Sequence, residues 1–285
     1  MALAEDEILV MSTDPITGTA KDIGKLAIQI TANDLASAGA EPIGVMLTIL
    51  LPDGTREIAL KRIMEQMECA CREAKMQILG GHTEVTAVVN QPVVNVAGVA
   101  KAKKVSLIST AGARAGMDIV VSKWVGIEGT MIFAKEKEAE LKEHFPADFV
   151  DTAIGFDRYL SVVPEAAVAT QSSVAAMHDV TEGGLFGALW EMAEASGVGL
   201  EIDLKKIPIR QETVEICEYF DVNPYGLISS GMMLMASADG NALVLALQEA
   251  GIPATVIGKA TEGNDRVIIR DEERRFLEPP KTDEL

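Results

Sequence analysis

A two-domain α/β fold is what this sequence predicts, on three observations. Apolar residues recur at a strand period of two and a helix period of about 3.6 in alternating segments. The chain has 285 residues, which suits one large domain or two ordinary ones. A small, turn-rich stretch, Ser109 to Gly116 (STAGARAG), separates two such alternating series.

The first series opens with a strand at Glu7 to Thr13, rich in Ile, Leu and Val, which Asp14-Pro15 is expected to halt. Asp22 to Ala38 is predicted helical, because Ile23, Leu26, Ala27, Ile30 and Leu35 recur at helical spacing and Gly39 stops it. Ile43 to Leu51 is an apolar run of strand length. Arg56 to Ala74 is a long amphipathic helix with Ile58, Ile63, Met67 and Ala70 towards one side. Gln77 to Leu79 is a strand ending in Gly80-Gly81, and Val93 to Ala100 is another. These elements make a compact domain over residues 1–108.

The second domain, residues 112–276, begins with a strand at Asp118 to Ser122. Helical stretches follow at Glu128 to His144 and Pro164 to Gln171, then a short strand at Val174 to Met177. A Gly-Gly turn leads into the helix Leu185 to Ala195, the strand Gly199 to Asp203 and the helix Gln211 to Phe220. The series closes with a strand at Met232 to Ala236, a helix at Gly240 to Ala250, and strands at Thr255 to Lys259 and Arg266 to Arg270. Residues 277–285, with Pro279-Pro280 and several charges, are expected to form a loose tail.

Composition narrows the functional classes. The net charge of −18 repels phosphate backbones, so nucleic acid is not an expected partner. The same field disfavours a nucleotide unless a cation bridges it. Cys69, Cys71 and Cys217 form neither a metal-ligand spacing nor an even disulfide set, and read as free thiols of a reducing cytoplasm. The start of the chain has neither the basic residues nor the apolar run of a signal peptide, and no apolar stretch is long enough to span a bilayer.

Acidic residues recur beside glycines where elements end. Asp14 closes the first predicted strand, and Asp34 lies on the apolar stripe of the first helix. A carboxylate there is costly unless a cation or hydrogen bonds compensate it; the plainer reading is an Asp at the stripe's edge capping a neighbouring loop. Gly80-Gly81-His82-Thr83-Glu84 follows a strand, so its side chains should emerge where α/β sheets bind ligands. His82 and Glu84 taken singly are as well explained by a structural histidine and a solvated carboxylate. Met177 to Leu185 (MHDVTEGGL) reads as strand, acidic turn, Gly-Gly, helix, in which free N–H groups could receive a phosphate and Asp179 could hold Mg²⁺. N-capping by Asp179 or Thr181 would account for the same residues.

Taken together these segments resemble a known family. Asp14-Pro15-Ile16-Thr17-Gly18, Asp22-Ile23-Gly24-Lys25-Leu26-Ala27 and Asn33 to Pro42 (NDLASAGAEP) are similar to the N-terminal motifs of the aminoimidazole-ribonucleotide-synthase superfamily. Gly80 to Glu84 and His178 to Leu185 look like its next two motifs, in the right order. The superfamily includes selenophosphate synthetase, thiamine-monophosphate kinase and the HypE-type hydrogenase maturation factors, and the last are the nearest resemblance. It implies a PurM-like fold whose N-terminal domains join their sheets into a shared barrel in a homodimer and bind ATP there. It also implies Mg²⁺ held by Asp14, Asp34 and Asp179, nucleotide contacts from Asp14, Thr17, Asn33, Gly80, Gly81, Thr83, Glu84, Gly183 and Gly184, and chemistry at Asp179 and His82. The implied reaction is ATP-dependent phosphoryl transfer, with amide or carboxamide oxygen as an acceptor type.

Two departures from the pattern carry expectations of their own. Family members usually begin with a further glycine-rich segment that helps to cover the nucleotide, whereas this sequence starts almost at the first strand. HypE-type factors end in a cysteine, whereas this sequence ends Lys281-Thr282-Asp283-Glu284-Leu285, so dehydration of a thiocarboxamide on its own tail is not expected. A homodimeric nucleotide-binding module without catalysis is therefore the alternative to the enzyme.

Overall fold

The computed structural model describes residues 3–17, 22–279 and 283–285. Gly18 of the first motif, and Pro280, Lys281 and Thr282 of the predicted tail, lie outside the described residues. The chain folds as two units, Met1–Leu107 and Ile108–Leu285.

In the first unit, β1 (Glu7–Thr17), β4 (Val93–Lys103), β2 (Glu41–Leu51) and β3 (Gln77–Val85) form, in that order, a sheet of four strands among the described residues. Helices α1 (Ile23–Ser37) and α2 (Glu57–Glu73) belong to the same unit. Alternation places Val94, Val96, Ala100, Leu47 and Ile49 in the core with Ile28 and Leu35 of α1. The other face carries Leu9, Met11 and Met46, exposed by 43, 62 and 53%.

Two strands run further than predicted. Pro15 does not halt β1, which continues to Thr17 with Pro15 opposite Asn95. An edge strand can point a position lacking an N–H away from its neighbour, and β1 is an edge. Gly80 and Gly81 do not end β3 but lie inside it, at φ +153 and +154, where other residues are strained. A Cβ on Gly81 would stand 2.0 Å from the Leu47 carbonyl oxygen, so glycine lets β3 close on β2. The predicted Val93 strand is interior to the sheet, and the edges are β1 and β3.

The second unit is built on a seven-stranded sheet among the described residues, ordered β11-β10-β7-β9-β5-β8-β6. In chain order its elements are β5 (Asp118–Ser122), α3 (Ile127–Glu136), α4 (Glu138–His144), α5 (Ala147–Ile154), α6 (Val163–Ala169), β6 (Val174–Val180) and α7 (Gly184–Ser196). They continue with β7 (Gly199–Asp203), α8 (Gln211–Phe220), β8 (Met232–Ser237), α9 (Gly240–Glu249), β9 (Ala254–Thr261), β10 (Arg266–Arg270) and β11 (Glu273–Phe276). Its main core joins Ile119, Val121, Val180, Leu185, Leu189, Met192, Leu234 and Ile257.

Here too the structure corrects some boundaries. The helix predicted from Glu128 to His144 breaks at Lys137 into α3 and α4, while α5 and β11 were not foreseen. The strand β6 runs on through His178 and Asp179 to Val180, paired throughout this end with Met232–Leu234 of β8. The segment expected to be a loose tail is held in both its described parts. Leu277 is buried and donates its N–H to the Arg266 carbonyl, and Asp283 is hydrogen-bonded to two loops.

Candidate functional site

In the first unit, one hydroxyl ties two carboxylates together. Ser12 and Asp14 alternate onto the same half-buried face of β1, and Asp34 reaches it from α1. Ser12 Oγ lies 2.5 Å from Asp34 Oδ2 and 3.5 Å from Asp14 Oδ2. One hydroxyl thus brings two carboxylates together on this face, the kind of hard oxygen donors that Mg²⁺ takes. Asp34 accepts a hydrogen bond from β1 through Ser12. Asn33 beside it is buried, and Thr17 ends β1 on the exposed side.

His82, Thr83 and Glu84 lie along the opposite edge strand, all exposed. Asp14, Val96, Leu47 and Gly81 are successive partners in one row across the sheet. Three strand spacings of about 4.8 Å put Gly81 roughly 14 Å from Asp14. The unit therefore does not bring the Gly80–Glu84 segment onto the Asp14–Asp34 pair. His82 and Glu84 do meet, with Nε2 and Oε2 3.5 Å apart.

In the second unit, the Asp179–Gly184 segment joins β6 to α7. Neither Asp179 nor Thr181 caps α7; Gly183 is its N-cap at φ +77, with no side-chain cap. Gly184 sits at φ +60, and a Cβ there would meet the Tyr225 and Leu227 carbonyl oxygens at 2.6 and 2.7 Å. Both glycines are needed for the turn, and the second also lets residues 225–231 approach. Asp179 is only 7% exposed, and its Oδ2 has no hydrogen-bond partner. His178 is tied to Glu191 of α7 at 2.7 Å, which holds the Glu191 carboxyl below its usual range.

A carboxyl that the sequence reading did not single out belongs to the same region. Glu128, in the first turn of α3, is 3% exposed, with Oε2 unpartnered. Burial pushes its pKa from 4.5 up to about 7, against hydrogen bonding from Ser230 and with repulsion from Asp283 and Glu182. The loop 225–231 holds α3 in place: Gly129 N–H donates to Ile228 O at 3.0 Å and Gly126 N–H to Ser229 Oγ at 2.7 Å. The legible signal was Gly126-Ile127-Glu128-Gly129, a charge set between two small residues in an apolar run. Of the cysteines, Cys69 is exposed, while burial raises the thiols of Cys71 and Cys217 to about 11 and about 12, which keeps them protonated.

Within each unit, among the described residues, no three His, Cys, Asp or Glu side chains are grouped to hold a metal. Mg²⁺ differs from zinc in this respect. It usually takes one or two carboxylates and completes its shell with water and substrate phosphates. The Asp14–Asp34 pair and the unpartnered oxygen of Asp179 fit that requirement.

Two domain patterns fix the class. The N-terminal domain of AIR synthase related protein matches residues 1–102 and its C-terminal domain matches residues 114–271, so the chain belongs to the AIR synthase related family. Its relatives include enzymes of hydrogenase maturation. A hydrogenase expression/formation protein of Methanocaldococcus jannaschii is 30% identical over 290 residues, covering 98% of this chain and 84% of that protein. Carbamoyl dehydratase HypE of Cupriavidus necator is 32% identical over 265 residues, covering 89% and 73%. The crystal structure of hydrogenase maturation protein HypE in complex with ATP matches the fold with a TM-score of 0.86 at 23% identity, covering 99% of this chain and 87% of that one. The superfamily and the HypE kinship expected from the motifs are therefore borne out, as is the two-domain α/β class.

Proposed function

We propose that this protein is an ATP- and Mg²⁺-dependent phosphoryl-transfer enzyme of the HypE kind, acting on a carboxamide oxygen. The observation that carries the reading is the Asp14–Ser12–Asp34 cluster, two carboxylates sharing one hydroxyl in a chain of net charge −18. Asp14 and Asp34 in the first unit, and Asp179 in the second, would each offer a carboxylate to Mg²⁺, which when bound neutralises the phosphates and orients the transferred group. Asn33, Thr17, Gly80, Gly81 and Thr83 contact the nucleotide, and the Gly183 N–H, in a turn that Gly184 closes, is offered to a phosphate. Across a homodimer, His82, supported by Glu84, would accept the proton lost when a carboxamide oxygen takes the phosphoryl group, ADP leaves and the nitrogen becomes an imine. The carbamoyl dehydratase relative supports this acceptor class. No helix among the described residues is long and apolar enough to cross a membrane, and we place the enzyme in the cytoplasm.

Calorimetric titration tests the reading. ATP is expected to bind in Mg²⁺ and not in EDTA, and Asp34→Asn should weaken binding at least tenfold, about 1.4 kcal/mol. Equal affinity in EDTA would remove the metal bridge and the reading with it. A second reading, a nucleotide-binding module without turnover, is favoured by the Asp283 carboxylate on the Gly183 N–H. Binding of Mg-ATP with no ADP release across a carboxamide screen would select it.

The active form is proposed to be a homodimer joined through the first unit. Its open face bears Leu9, Met11 and Met46, and its edge strand β3 is exposed along its whole length. Sheet joining would cover both. Light scattering should give twice 30.4 kDa; a monomer at micromolar concentration would refute the arrangement.

A further inference from the structure

The last described residues lie on the turn that the proposed function gives to a phosphate. Asp283 Oδ2 accepts the Gly183 N–H at 2.7 Å, and Oδ1 accepts the Ile228 N–H at 3.4 Å and the Leu285 N–H at 2.8 Å. Glu284 Oε2 accepts the Asn223 N–H at 3.5 Å, and its Cγ lies over Gly226. Three backbone N–H groups from two loops, one of them the N-cap of a 13-residue helix, thus converge on two adjacent acidic side chains. Such N–H groups with a helix's positive end select an anion of any origin.

Two features bear on how this carboxylate is held. Buried Glu128 keeps an unpartnered oxygen and repels Asp283, so the docked carboxylate sits against a like charge, which favours its release. A cavity of about 300 Å³ also opens beside Gly183, lined in part by Phe186, Asn223, Arg275 and Leu277. There Phe186 stacks on Tyr225 with ring centres 5.2 Å apart, and the Arg275 guanidinium lies 6.0 Å from the Phe186 ring centre. An aromatic shelf and a cation next to an anion site offer more than a side chain's carboxylate uses.

We infer that the Gly183, Ile228 and Asn223 N–H groups form an anion site whose resident occupant is the chain's own Asp283-Glu284, a releasable plug that a phosphate-bearing ligand must displace. This rests on the reading that the Gly183 turn receives phosphate. Phosphate offers more acceptor oxygens to the three N–H groups than a carboxylate does, so it displaces the plug at sufficient concentration. The plug sets that threshold.

The test uses the full chain, Asp283→Asn and the double variant Asp283→Asn/Glu284→Gln, with pyrophosphate as probe. Without ligand, amide exchange at Gly183 should quicken at least tenfold in both variants. Pyrophosphate affinity, measured by calorimetry, should rise at least fivefold, more in the double variant. A free peptide ending Thr-Asp-Glu-Leu should reverse the gain. Unchanged exchange at Gly183 would show that the tail does not dock, and faster exchange with unchanged pyrophosphate affinity would show that it does not compete; either overturns the inference. If both responses appear while ATP fails to bind, the anion site and its plug stand and only the ATP reading falls.

Discussion

Asp179→Asn is expected to lower ATP turnover at least a hundredfold while melting no lower than the unaltered protein. The two halves of this result have different causes. Asp179 is buried in β6 with one oxygen lacking any partner. A buried charge without compensation destabilises a fold, so an uncharged residue of the same shape should leave stability unchanged or raise it by about 1–2 kcal/mol. Phosphoryl transfer, in contrast, depends on placed charge, and losing one metal-holding carboxylate removes transition-state stabilisation worth about two to three powers of ten. Side-by-side melting curves and ADP-release rates decide it. A variant that melts markedly lower yet turns over within threefold of normal would assign Asp179 to structure.

Glu128 should make stability depend on pH in a direction unusual for a carboxyl. Its folded-state pKa is about 7 against 4.5 for an ordinary Glu, because burial and the neighbouring Asp283 and Glu182 disfavour its charged form. A raised value means that the folded state holds the proton more tightly than the unfolded chain. The contribution is therefore complete below about pH 4.5 and lost as pH rises through 7. A shift of this size corresponds to about 3 kcal/mol. Urea unfolding at pH 5 and pH 8 should show the difference between Glu128→Gln and the unaltered protein growing by that order, with the variant the more stable at pH 8. An unchanged difference between the two pH values would mean that Glu128 is not held protonated by its surroundings.

The family and the order of elements were legible because both are written locally. Periods of two and 3.6 residues placed β7 and α8 from end to end, since neither element contains a Gly or Pro between its ends to be decided by a neighbour. The motifs around Asp14, Asp34, Gly80 and Asp179 were legible for the same reason: each is a contiguous string.

What remained hidden depends on partners distant in the chain. Proline and glycine carry rules for strand ends, yet Pro15 is tolerated because β1 is an edge, and Gly81 lies inside β3 because β2 runs close beside it. Neither strand neighbour can be read from the string itself. The shared hydroxyl of Asp14 and Asp34 required β1 and α1 to pack with Ser12 facing in. Glu128 acquired its raised pKa because the loop 225–231, about a hundred residues away, seals it from water. Asp283 resembled a solvated tail charge until the fold set the Gly183 N–H against it. Sequence by itself determined the family, the layered α/β class and the string of acidic motifs, because local periodicity and contiguous residues encode them. Tertiary structure alone decided which carboxylates lack a partner and what fills the anion site, because desolvation and hydrogen bonding are properties of neighbours brought together by folding.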